Sequence, residues 1–472
     1  MTQKKVLIGG DWRTATESFE VRSPYSGEVL ANVGSIGPVE LAETIDAAEA
    51  AAAEMRHLSR FEIAAGLRNI AGLISNRREE FAKAIAAEAA KPIVDARRET
   101  DRAIAAFATA AGDAERFVGE VVPVDAQSGG IGRSAWTERI PRGVIYGISP
   151  FNFPLNLTAH KAAPALAAKN AIILKPSRRT PLSALLLAEV FLESGLPQSG
   201  LQIVPMDNKY MDGVFGDERV KMISFTGSDK VGWEIRSRAQ KAAVALELGG
   251  NAAVIVDETA DVRKTAERAA SAAFSYAGQV CISVQRAYVH ESIFDEWLEA
   301  AVGKAKSLKI GDPLEEETEM SVMIDEKAAE RASKWIQEAA ENGADVVCGG
   351  ERDGSLLRAT IITGTQPEMR VVSEEVFAPV LVAEKFDDLG AAVAAVNNSR
   401  YGLQAGVFTQ DIKNAVFAAE NIEAGGVMIN DVPTFRVDNM PYGGVKDSGM
   451  GREGVRYAME EMSELRLIVM NM

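Results

Sequence analysis

Cys281 stands in the stretch Ala277-Gly278-Gln279-Val280-Cys281-Ile282-Ser283, between a Gly-Gln turn and an apolar run. A thiolate there is a nucleophile that can form a covalent acyl intermediate. By itself a lone cysteine is more often a small buried hydrophobe. The chain has only one other, Cys348, in a charged stretch that reads as helix-to-loop. Four further stretches carry groups that could serve such a nucleophile. Glu247 precedes Gly249 and Gly250, a flexible turn able to present a general base into a cleft, although a surface acid beside a turn fits equally. Asn152, within Pro150-Phe151-Asn152-Phe153-Pro154, can donate an amide N–H to an oxyanion or simply form a turn. Phe225-Thr226-Gly227-Ser228 precedes a helical pattern, so it is a phosphate cradle at a helix N-terminus or a plain N-cap. Lys175-Pro176-Ser177-Arg178-Arg179 puts three cations together, a site for ribose and phosphate oxygens or a solvated loop.

These stretches need elements to hold them. From Arg142 onward, short apolar runs alternate with helical periodicity. Strand-like runs fall at Gly143–Ser149, Ala171–Leu174, Leu201–Val204, Met222–Phe225 and Ala243–Leu248, with helices such as Leu155–Ala168 and Leu182–Ser194 between them. Continuous apolar strands separated by amphipathic helices predict a doubly wound parallel sheet, which binds ligands at the carboxyl ends of its strands. All four stretches sit at such ends. A second α/β series runs from Ala253–Val256 through Val284–Val289, Val380–Phe386 and Ala405–Thr409 to Val427–Asn430. Ahead of both, Val39–Met55 and Arg60–Ala90 are helical, their charges reading as a solvated face. Residues 119–141 read as two extended arms around a Gly-rich turn, with too little apolar content to bury themselves. The apolar tail Leu465–Met470 is expected to pair with that hairpin in a neighbouring subunit.

The expected fold is therefore α/β: two doubly wound parallel-sheet domains, one Rossmann-like, plus a small β arm. The expected division is 1–118 with 142–250, then 251–445, with 119–141 and 446–472 as the oligomerisation element. A length of 472 residues suits this. The net charge of -16, from 51 basic and 67 acidic residues, argues against nucleic-acid and anionic-membrane partners. Two cysteines make no disulfide framework, and the N-terminus has no long apolar run, so a cytoplasmic protein is expected. His57, His160 and His290 lack metal spacing, and no metal is expected.

Seven motifs in order resemble the NAD(P)-dependent aldehyde dehydrogenase superfamily: Pro150–Pro154, Lys175–Ser177, Phe225–Ser228, Glu247–Asn251, Gly278–Cys281, Glu374–Pro379, and Pro441–Lys446 running on to Gly449-Met450-Gly451-Arg452-Glu453. The resemblance spans roughly Ser23 to the C-terminus. It implies Cys281 as nucleophile, Glu247 as the base that activates water, and Asn152 with the Cys281 N–H as oxyanion donors. It places Lys175, Ser177, Arg178, Gly227, Ser228, Glu375, Phe377, Phe151 and Gly249 about NADP or NAD. It also implies a homodimer or homotetramer.

Two departures sharpen the expectation. The position three after Lys175 is often a glutamate that favours NAD; Arg178 there predicts NADP preference or dual use. Arg436, His160 and Asn156 make the expected aldehyde pocket polar, which suits a hydroxy-, carboxy- or phospho-aldehyde. The alternative for Arg436 is a loop ion pair with Asp438. The stretch resembles microbial lactaldehyde and non-phosphorylating glyceraldehyde-3-phosphate dehydrogenases, but Val280 stands where the latter often carry a second arginine. A CoA-acylating enzyme and a non-catalytic structural relative are the rival readings; Glu247 speaks against the first and the intact Cys281, Glu247 and Asn152 against the second.

Overall fold

The computed structural model describes residues 3–472. Val144–Ile148 and Ala171–Lys175 are buried along their whole length and pair in parallel, from Val144 opposite Ala171 to Ile148 opposite Lys175. Alternate side chains point to opposite faces of a strand. Ile172 and Leu174 therefore enter one core, while Ala171 and Ile173 enter another. Helix Pro38–His57 covers the second face through Leu41, Ile45 and Ala48. Asn156–Ala167 and Leu182–Leu192 cover the first, with Arg60–Asn76 and Ile93–Arg116 joining the same core. Apolar residues on both sides explain why these strands read as unbroken hydrophobic runs.

Five parallel strands lie side by side in the order Ala243–Glu247, Val220–Thr226, Val144–Ile148, Ala171–Lys175, Leu201–Ile203. Antiparallel strands close the edges, Val6–Ile8 with Asp11–Arg13 at one and Gly449–Met450 at the other. The chain winds outward from Val144–Ile148 in one direction and returns to wind outward in the other. That reversal opens a crevice between the ends of Val144–Ile148 and Val220–Thr226.

The second sheet has seven strands, in the order Asp345–Cys348, Thr360–Thr363, Val380–Phe386, Arg286–His290, Ala253–Val256, Gln404–Phe408, Gly426–Ile429. Val254 and Val256 face one core, Ala253 and Ile255 the other. Cys348 differs from expectation: it ends an antiparallel edge strand.

The hairpin and the tail also differ in one respect. Ser463–Asn471 pairs antiparallel along its full length with Arg133–Pro141 of the same chain, not a neighbour's. With Val121–Val122 they form a three-stranded sheet. Of the remaining tail, helix Val455–Glu461 packs into the first core through Val455 and Met459.

Candidate active site

Cys281 follows a backbone that is strained by design of its neighbours. Helix Val262–Phe274 runs into a tight turn, Ser275–Gly278, in which Tyr276, Ala277 and Gly278 all take positive φ, at 49°, 51° and 67°. A Cβ on Gly278 would lie 2.0 Å from the Ala378 carbonyl oxygen, so both conformation and space require glycine. The Tyr276 hydroxyl donates to the Ala89 carbonyl at 2.9 Å, and the Gln279 side-chain oxygen accepts from Ile324 N at 2.9 Å. These bonds fix the loop, and Cys281 Sγ comes 2.9 Å from Tyr442 Oη. Burial pushes the Cys281 thiol up to about 11, against the pull of Tyr442 and Arg436.

Glu247 ends its strand, with Thr226 beside it on one neighbour and Gly449 on the other. Its carboxylate is buried and neither oxygen has a hydrogen-bond partner among the described residues. Burial, reinforced by the nearby Glu453, holds its pKa well above the usual carboxylate range. Glu453 is the contrasting acid. It takes Arg436 Nη2 at 2.8 Å and Lys161 Nζ at 3.3 Å, and Lys161 also donates to Thr226 Oγ1 at 2.6 Å. Burial opposes its ionisation, but the two cations bring it down to about 2. Two acids in one site are thus driven apart, Glu247 towards the protonated form and Glu453 towards the charged one.

Asn152 follows strand Val144–Ile148. Its Nδ2 donates to the Gln279 carbonyl at 2.9 Å, which leaves the second amide hydrogen free for another acceptor. Its own carbonyl accepts from Lys91 Nζ at 2.6 Å. Lys91 is fully buried against Glu99, whose other oxygen takes Leu155 N at 3.0 Å and Asn156 N at 3.1 Å. A buried ion pair therefore braces the Asn152 turn and the start of the following helix.

Two cavities meet at this point, of about 570 and 710 Å³, and both are lined by Leu157, Thr226, Glu247, Leu248 and Cys281. The larger runs over the crevice of the first sheet. Lys175, Ser177 and Arg178 line it, as do Gly227, Ser228 and Gly249. Phe151, Asn152, Glu375 and Phe377 stand at its inner end. Lys175 is nearly enclosed, and burial with the nearby Arg178 lowers it to about 8. Arg178 donates to Asp207 at 2.6 Å and lies over the Phe19 ring at 4.5 Å. Ser228 caps the ten-residue helix Asp229–Arg238 by position, and its side chain makes no capping bond. The Glu375 carboxylate accepts from Gly250 N at 3.0 Å and is pushed up to about 7 by burial. Phe377, at φ 51°, meets the Phe151 ring edge-on at 5.9 Å. A deep cation, free helix N–H groups and a cavity of about 710 Å³ fit a dinucleotide.

The smaller cavity is lined by Arg436, Asn156, Tyr442, Glu453, Arg102 and Thr434 among others. Neither amide atom of Asn156 has a partner, nor does Nε of Arg436. Arg436 pairs with Glu453 rather than Asp438. Asp438 is already taken by Arg102 at 2.8 Å and by His160 Nε2 at 2.8 Å. His160 thus differs from expectation: it is buried behind the cavity wall, bound to Asp438, instead of forming the wall. Sequence reasoning left Lys161, Tyr442, Glu453 and the Lys91–Glu99 pair without a role. The available signals were a single lysine inside the apolar run Leu155–Ala168 and an acid closing Gly451-Arg452-Glu453.

A model of the aldehyde dehydrogenase family matches residues 12–468. The 3-sulfolactaldehyde dehydrogenase of Priestia aryabhattai is 41% identical over 477 residues, covering 100% of this chain and 99% of that protein. Among solved structures, aldehyde dehydrogenase 21 from Physcomitrella patens in complex with the reaction product succinate is similar, with a TM-score of 0.98 and 40% identity over 100% of this chain and 98% of that one. Glyceraldehyde-3-phosphate dehydrogenase GapN from Methanocaldococcus jannaschii complexed with NADP gives 0.93 and 40%, covering 97% and 100%.

Proposed function

The chain belongs to the aldehyde dehydrogenase family, and we propose that it oxidises a small anionic or hydroxylated aldehyde to its acid through a covalent intermediate on Cys281. The oxidation of an aldehyde with NAD(P) is the activity of the family. The remaining assignments are our own reading of this chain's residues.

Cys281 Sγ adds to the aldehyde carbon, and the oxygen that becomes negative accepts from the free Asn152 amide hydrogen and the Cys281 backbone N–H. A nicotinamide held by Glu375 and Phe377 with Phe151 would supply the acceptor for the hydride that leaves this carbon. The acyl group then remains on Sγ as a thioester. Glu247, once ionised, takes a proton from the water that attacks it, and the acid departs. Lys175 and Arg178 hold the adenosine ribose and its substituent, Gly227, Ser228 and Gly249 face the pyrophosphate, and Glu375 and Phe377 with Phe151 orient the nicotinamide half. Ser177 supports the Lys175 turn. An unpartnered Glu247 carboxylate beside Cys281 favours hydrolysis over transfer to CoA.

The observation that carries the substrate class is the set of unpartnered polar atoms, both side-chain amide atoms of Asn156 and Nε of Arg436, in residues that line the cavity holding Cys281. A buried polar group with no partner is costly until a ligand supplies one. The relatives' names support the same class, containing a sulfonate, a dicarboxylate product and a phosphate. The test is an aldehyde panel run with NAD and NADP in parallel, on wild type and Arg436→Leu. We expect KM for anionic aldehydes to rise by about tenfold or more in the variant, the loss of a charged hydrogen bond, and KM for apolar aldehydes to change little. Equal KM for anionic aldehydes in both proteins rules out the anchor.

NADP preference or dual use is also part of the proposal, supported by Arg178. So are the division into a cofactor domain (1–118 with 142–250) and a catalytic domain (251–445), and assembly through the arm. Leu465, Leu467 and Val469 lie on one face of strand Ser463–Asn471 and are exposed. Such a face suits a homodimer or homotetramer. No described helix is long and apolar enough to cross a membrane, and both cysteines are free, which supports a cytoplasmic setting.

A further inference from the structure

The geometry points to Tyr442 as a further catalytic residue, whose phenolic O–H donates to Cys281 Sγ and stabilises it as the thiolate. This rests on the reading of Cys281 as the nucleophile. The 2.9 Å contact joins the buried Tyr442 to the half-buried Cys281, and the ring is held from several directions. Tyr442 N donates to the Glu453 carbonyl at 3.0 Å, and Glu453 N returns a bond to the Tyr442 carbonyl at 2.7 Å. The Arg436 guanidinium lies over the ring, 3.7 Å from its centre, and is itself tied to Glu453 at 2.8 Å. Ile282 and Leu403 pack against it. A hydroxyl enclosed in such a cluster is costly unless it bonds, and Sγ is the partner it has.

The bond is not neutral towards ionisation. A thiol is a weak acceptor, whereas a thiolate is an anionic one, and hydrogen bonds to ions are roughly twice as strong. A donor fixed on sulfur therefore favours S⁻ over S–H. A cation on the ring face makes the O–H a better donor. The other charged groups felt at Cys281 are Glu375 and Glu453, which oppose ionisation, and Arg436 itself, which assists it; Glu247 shares the cavity. Tyr442 keeps its own proton, because burial and the neighbouring thiol hold it well above its ordinary range. In the step itself the S–H bond breaks, its proton goes to a solvent base, and the electron pair stays on sulfur.

The test is the pH dependence of Cys281 alkylation by iodoacetamide, in which an S–C bond forms and iodide leaves. The modified residue is identified by peptide mass spectrometry, and residual dehydrogenase activity is followed in parallel. Wild type is compared with Tyr442→Phe and with protein carrying 3-fluorotyrosine at 442, a stronger donor; NADPH binding by fluorescence checks that each is folded. We expect the midpoint to rise by about one pH unit in the Phe variant, so that alkylation below the midpoint slows about tenfold, and to fall with fluorotyrosine. A merely structural role moves neither midpoint in this graded way. Coincident profiles, or shifts of the same sign in both variants, overturn the role of Tyr442 while leaving the nucleophile intact. Alkylation of Cys281 without loss of activity overturns the nucleophile and this inference together.

Discussion

Glu247 and Glu453 are both buried acids, and their neighbours alone set them apart. Glu453 has two cations, and Glu247 has none in bonding contact. Its raised pKa has a definite sign in catalysis. A base must be ionised, so thioester hydrolysis should rise with pH through the Glu247 pKa and be slow below it. In Glu247→Gln we expect kcat to fall by about 10²–10⁴, a burst of one NADPH per site, and acyl-enzyme visible by intact-mass spectrometry. A pH limb of kcat that persists in this variant would assign the base elsewhere. At the other end of the cofactor cavity, Asp207 holds Arg178 and brings a negative charge to the same spot. Asp207→Asn should free the guanidinium and raise kcat/KM for NADP over NAD by about tenfold, the order of one charge-assisted bond. Arg178→Glu should move the ratio the other way. No change in either ratio would show that Arg178 does not discriminate.

The elements that carry these residues were unequally legible. Strands such as Ala171–Lys175 and Ala253–Val256 announce themselves because both faces are buried, so the chain cannot alternate with polar residues. The crevice that collects Asn152, Gly227 and Glu247 follows from that winding alone. The turn before Cys281 does not, since Tyr276 and Ala277 take positive φ without the Gly or Asn that usually marks it. The charges in the helices also mislead. Lys91 and Glu99, charges in and just before a helix, form a buried brace, and Lys161 finds Glu453 across 292 residues of sequence. Arg436 has an acid two positions away and pairs with one 17 away instead, because His160 and Arg102 already hold Asp438. Two substitutions test these elements. Lys91→Met leaves Glu99 buried without its cation and should cost about 3–5 kcal/mol, read as a lower melting temperature with loss of kcat. Gly278→Ala forces a Cβ to within 2.0 Å of the Ala378 carbonyl. It should slow Cys281 alkylation while the Lys175 end of the molecule still binds NADPH. Full activity in either variant would show that the loop tolerates the change.

Across the whole molecule, the arm is the least self-sufficient part. Its sheet shows Leu465, Leu467 and Val469 to solvent in the single chain. Changing all three to Glu should reduce the particle mass measured by size exclusion with light scattering, and an unchanged mass would move the interface elsewhere. The apolar character of the contact predicts little dependence on salt. A different property follows from the two cavities, which share walls at Leu157, Thr226, Glu247, Leu248 and Cys281 and beyond these are lined by different residues. Traffic through them need not follow a queue. An aldehyde can reach the sulfur, and an acid can leave it, while the dinucleotide stays seated; the dinucleotide can in turn exchange past an acylated enzyme. Steady-state patterns should therefore show a carboxylate product that competes with the aldehyde and not with the coenzyme, and the order of departure becomes a matter of relative rates, not of one ligand blocking the other's way out.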